Sequence, residues 1–90
     1  MPYIPQHDRE EFEFGLLVLK GKVQERGLSN GELNFLLTKL CLMYLDRHGE
    51  SYNTISDVVK ALECCKLEFY RRVAAVYESD KIALNGDVYP

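Results

Sequence analysis

Four side chains within one short stretch have the chemistry to hold an anionic ligand that carries a flat ring. They are Lys66, Tyr70, Arg71 and Arg72. Guanidinium groups form paired hydrogen bonds with phosphate oxygens, and a tyrosine ring stacks on a base. The stretch therefore predicts a site for a nucleotide-type small molecule. The alternative is that both arginines form structural ion pairs with Glu68 and with acidic residues of the first helix.

Two further pairs of residues are candidates for ligand binding. Tyr3 and Arg9 belong to the N-terminal part of the chain, and we expect them to close pockets at the interfaces between subunits. Asn34 and Thr38 lie four residues apart and share one face of a predicted helix. They either line a pocket or set the register of an oligomer interface, or they are simply exposed.

The chemistry of catalysis and of metal binding is missing from the sequence. It contains no GxSxG, Walker, Rossmann or HExxH signature, so we expect no catalytic residue and no enzyme activity. The three cysteines are Cys41, Cys64 and Cys65, and we expect them to be buried and reduced. Neither CxxC nor HxxxH occurs, so we predict no metal site and no cofactor.

Charge and hydropathy exclude further classes of protein. The 90 residues have a net charge of −3, which argues against a non-specific coat for DNA or RNA. No apolar run is long enough to cross a membrane, and the N-terminus does not resemble a secretory signal. We therefore expect a cytoplasmic protein with no membrane partner, and the net charge counts against a nucleic-acid partner.

The elements that position these residues are predicted to be three helices of an all-α fold. Two prolines make residues 1–7 an extended arm, and Asp8 is expected to cap the first helix. Ser29 and Glu32 form a capping box for the second helix, and Asn53 or Thr54 caps the third. The predicted helices span about residues 8–26, 30–48 and 55–83, with an extended tail over 85–90.

The apolar residues within these helices predict self-association of a single 90-residue domain. Only three residues between Leu33 and Leu45 are polar, so the second helix has no face suited to water. We expect an antiparallel hairpin with a third helix too long for its partners. Gly15 and Gly21 destabilise the first helix but allow close contact between helices. On the third helix, Glu63 and Glu68 are expected to pair with Lys66 and Arg72. Its apolar stripe comprises Ile55, Val58, Val59, Leu62, Cys65, Phe69, Val73, Val76 and Tyr77.

Several motifs resemble a family of small, uncharacterised microbial and phage proteins of about 90 residues. They are MPYIPQ followed by HDR at the start, GELN at 31–34, HGESYNTI at 48–55, KLEFYRR at 66–72 and YESDKIALNGDVY at 77–89. The resemblance covers nearly the whole chain and implies a complete natural domain. By analogy with helical phage proteins, it also suggests a sponge that sequesters a nucleotide-derived immune signal.

Three hypotheses for function remain open at this point. The first is a homo-oligomeric helical protein without catalysis that binds a cyclic dinucleotide or an ADP-ribose derivative. The second is a protein–protein interaction module, such as an adaptor or an inhibitor of a host protein. The third is a small regulator that binds nucleic acid, against which the acidic net charge counts.

Overall fold

The computed structural model describes residues 2–90 and confirms an all-α fold of three helices. The third helix consists of two α-helical parts joined by a π-helical turn of five residues. No helix among the described residues is both long enough and apolar enough to cross a membrane. The elements are α1 (Gln6–Arg26), α2 (Asn30–His48), α3 (Tyr52–Phe69), the π turn (Tyr70–Ala74) and α4 (Ala75–Asn85).

Helix α1 begins two residues earlier than predicted, and the predicted cap is wrong. Pro5 occupies the N-cap position, and its carbonyl accepts the amide N–H groups of Asp8 and Arg9 at 3.0 and 3.2 Å. A proline fits here because its fixed φ suits the start of a helix and its missing donor is not needed. Asp8 therefore lies within the first turn, and Gln6 and His7 belong to the helix instead of the arm.

Helix α2 has the predicted bounds and the predicted capping box. The Ser29 hydroxyl accepts the Glu32 amide N–H at 3.1 Å, and the Glu32 carboxylate accepts the Ser29 amide N–H at 2.9 Å. The second carboxylate oxygen lies 2.7 Å from a guanidinium nitrogen of Arg26, at the end of α1. The Ser29 hydrogen bonds and the Arg26 guanidinium together lower the pKa of Glu32 to about 2.

We expect removal of this capping box to weaken the start of α2. Ser29→Ala should lower the free energy of unfolding by about 1 kcal/mol, as measured by urea denaturation at neutral pH. The pKa of Glu32 is depressed on folding, so its stabilising effect is complete above pH 4.5 and is lost as the pH falls towards about 2. Glu32→Gln should flatten this part of the acid profile, whereas Glu25→Gln should leave it unchanged.

The third helix begins at Tyr52, which is earlier than predicted, and neither Asn53 nor Thr54 is its N-cap. The Thr54 amide N–H donates to the Ser51 hydroxyl at 3.2 Å, and the Thr54 hydroxyl donates to the Gly49 carbonyl at 2.6 Å. These bonds satisfy donors and acceptors in the turn that follows α2. The helix ends at Asn85, two residues later than predicted, and Gly86 follows with φ of 90°.

The chain divides into two units, one that ends at Val58 and one that runs Val59–Pro90. The first unit contains α1, α2 and the start of α3. The connection between α1 and α2 is only three residues long, and such short connections join antiparallel helices. The second unit contains the rest of α3, the π turn, α4 and a short tail, in which the Asp87 carboxylate accepts the Tyr89 amide N–H at 2.9 Å.

No side chain among the described residues of either unit is buried. The prediction of buried cysteines is therefore wrong for a single chain, because Cys65 is exposed and Cys41 and Cys64 are half-buried. In unit one, the Tyr44 hydroxyl donates to the Asp57 carboxylate at 3.2 Å, which raises the pKa of Tyr44. Local hydrogen bonds and caps therefore define the helices, while their apolar faces stay in contact with water.

Candidate functional site

The predicted cationic site lies at the π-helical turn of the second unit. Tyr70, Arg71 and Arg72 are within the turn, and Lys66 precedes it by one helical turn on α3. The Ala75 amide N–H donates to the Tyr70 carbonyl, five residues back, instead of the carbonyl four residues back. Such turns occur frequently at functional sites, because the wider turn changes the directions of the side chains.

Two of the four predicted site residues have acidic partners on the same helix. Lys66 Nζ lies 3.3 Å from a carboxylate oxygen of Glu63, as predicted. The Glu68 carboxylate pairs with Arg71, three residues on, and not with Arg72 as predicted. Residues three apart and residues four apart are both neighbours on a helix, so the sequence alone did not decide whether Arg71 or Arg72 is the partner of Glu68. The positive charges of Lys66 and Arg71 are thus partly neutralised by these carboxylates.

Tyr70 and Arg72 are the members of this site that remain open to a ligand. The Tyr70 side chain is 60% exposed and does not stack on another ring of the described chain. Arg72 forms no ion pair with any described residue. An exposed ring and a free guanidinium group within the same π turn supply the chemistry for a base and for a phosphate.

The other predicted site residues belong to the first unit and interact locally. The Thr38 hydroxyl donates to the Asn34 carbonyl at 2.8 Å and lies 3.2 Å from the Asn34 side-chain oxygen. Both residues are exposed. Arg9 Nε donates to the Ile4 carbonyl at 2.7 Å, so it fastens the N-terminal arm to α1. Tyr3, which is also exposed, has an interaction within the chain.

A feature that the sequence did not predict is an apolar groove between α1 and α2. It has a volume of about 450 Å³, and almost all of its lining is apolar. The two charged side chains at this groove are one carboxylate and one ammonium group. Its lining residues are Glu11, Phe12, Gly15, Leu16 and Leu19 on α1, and Leu36, Lys39, Leu40 and Met43 on α2.

The two glycines of α1 do not make close contacts within the chain. A Cβ atom added at Gly15 or at Gly21 would have no atom within 4 Å outside its own helix. Within a single chain, the space that these glycines leave is not used for close contact between helices. Gly15 lines the groove, whereas Gly21 does not.

These observations define a small all-α protein with open apolar helical faces and with two arginines in a π turn of its third helix. The chain belongs to the family described as "Domain of unknown function (DUF6899)", which matches residues 1–88. No curated protein and no solved structure matches the chain.

Proposed function

We propose that the protein is a homo-oligomeric helical binding protein without catalysis, and that it sequesters a nucleotide-derived small molecule. The observation that carries the first part is that no described side chain is buried, although 47% of the residues are hydrophobic. Large apolar surfaces on a protein mark sites that another surface covers. Copies of the same chain are the partner that is always present.

Native mass spectrometry tests this part of the proposal, and it should detect multiples of the 10.4 kDa chain.

The ligand site that we propose is the π turn with Tyr70 and Arg72. The exposed ring would stack on a base, and the unpaired guanidinium group would bind a phosphate. Lys66 and Arg71 would bind the ligand only if its phosphate displaced the carboxylates of Glu63 and Glu68, with which they are paired. Cyclic dinucleotides and ADP-ribose derivatives combine both chemical groups, which is why they are the probes of choice.

We expect Arg72→Gln to weaken nucleotide binding by about tenfold, because a charge-assisted bond to phosphate is lost. Calorimetric titration with a cyclic dinucleotide and with ADP-ribose measures the change. Lys81→Gln is the matched control, since Lys81 is a cation of the same unit whose Nζ lies 5.5 Å from the Tyr77 ring. Equal affinity of Arg72→Gln and wild type, or no heat from wild-type protein with either probe, would refute this ligand site.

A second candidate function is an interaction module for a different protein, and the groove between α1 and α2 favours it. An apolar groove between two helices is a common receptor for an amphipathic helix. The two proposals differ in the state of the pure protein. The interaction module is expected to be a monomer in the absence of its partner protein, whereas the homo-oligomeric binding protein is expected to self-associate.

A further inference from the structure

The groove between α1 and α2 has the properties of a surface that closes on another helix. Phe12, Leu16 and Leu40 line it, and each is more than half exposed in the single chain. Nothing within the described chain fills its volume of about 450 Å³. Side chains at protein interfaces reach the packing density of protein interiors, so an apolar groove of this size is incomplete without an occupant.

Gly15 gives a reason to expect that this occupant approaches the backbone closely. Glycine in the interior of a helix costs about 1 kcal/mol relative to alanine. No neighbour within the chain requires its small size, because an added Cβ would point into open space. At the groove, the missing side chain leaves room for a helix from outside the chain.

The charges at the groove favour an occupant that carries the same two groups. Glu11 and Lys39 both line the groove, but neither forms an ion pair with a described residue. Lys39 Nζ lies 5.6 Å from the Phe35 ring, on its own helix. A groove with one positive and one negative group is complementary to itself, as the interface of a two-fold dimer must be.

We infer that the α1–α2 groove is the surface on which a second copy of this chain docks, with helix pairs from two copies packing groove to groove. This inference rests on the proposed self-association and names the surface through which the two chains associate. Two helical hairpins packed in this way bury four apolar helix faces in one core, as in four-helix bundles.

Two matched pairs of variants on α1 test this assignment by sedimentation velocity over a dilution series. Phe12→Glu places a charge in the groove, whereas Phe14→Glu places the same charge on a phenylalanine position outside it. Gly15→Gln fills the groove, whereas Gly21→Gln adds the same side chain elsewhere. Gln is a better helix former than glycine, so neither glycine substitution weakens the intrinsic helix propensity of α1.

We expect Phe12→Glu and Gly15→Gln to weaken self-association by about tenfold or more, because a polar group enters a buried apolar contact. Phe14→Glu and Gly21→Gln should associate like wild-type protein. If wild type associates and all four variants behave alike, the groove is not the docking surface, although the proposed function stands. If wild-type protein is a monomer, the proposed function and this inference both fail.

Discussion

Dilution of wild-type protein from about 100 μM to about 1 μM should lower its thermal unfolding midpoint by about 5–10 °C. The reason is that no described side chain is buried within one chain, so under the proposed self-association the folded state depends on contacts between chains. Unfolding then coincides with dissociation, which dilution favours by mass action. Circular dichroism or scanning fluorimetry across the concentration range measures the shift.

A midpoint that stays constant over this range would mean that each chain is stable by itself. Ser29→Ala is a useful comparison, because it weakens a cap within one chain and not an interface. It should lower the midpoint at every concentration while leaving the slope against concentration unchanged.

The largest effect of any substitution should come from a double variant, Phe12→Glu with Phe69→Glu. Phe12 lines the α1–α2 groove, and Phe69 lies on the apolar stripe of the second unit, where it is 64% exposed. With a charge on both surfaces, we expect a monomer that has lost most of its helical circular dichroism. Helices without a covered apolar face are marginal in water, even when they are well capped.

The matched control is Phe14→Glu with Leu84→Glu, which adds the same two charges. Phe14 and Leu84 are more exposed than Phe12 and Phe69, and Phe14 lies outside the groove. This control should keep both its helix content and its self-association. A fully helical monomer from the first double variant would contradict the view that association holds the helices in place.

Sequence patterns predicted the helix ends well wherever a local interaction sets them. The capping box of Ser29 and Glu32 needs only residues three apart, and it forms as predicted. Gly27 and Gly49 end α1 and α2 with positive φ, which glycine adopts without strain. The Glu63–Lys66 pair is of the same kind. These features depend on chemistry within one or two turns of the chain.

Features that depend on competing local choices were predicted less well. The start of α1 at Gln6 reflects Pro5 as its cap, although Asp8 is the stronger cap by residue preference. The π turn at Tyr70–Ala74 has no signature in residue type, because the same residues are compatible with an α-helix. Glu68 had two arginines within reach, and the structure pairs it with Arg71.

Of the two candidate sites, the sequence indicated the cationic stretch by its residue types but did not indicate the α1–α2 groove. The cationic stretch with Tyr70 and Arg72 stood out because of its residue types. The α1–α2 groove did not, since the apolar residues that line it belong to two helices with apolar side chains on several faces. When no face of a helix is clearly polar, periodicity cannot indicate which face a partner covers.

Multi-angle light scattering on wild-type protein, at concentrations from about 1 μM upwards, tests the central claim most directly. The account predicts a mass that is a whole multiple of 10.4 kDa, and at least twice that value at the higher concentrations. A helical protein with a mass of 10.4 kDa at every concentration would contradict it, because its exposed apolar faces would then be stable in water without a partner.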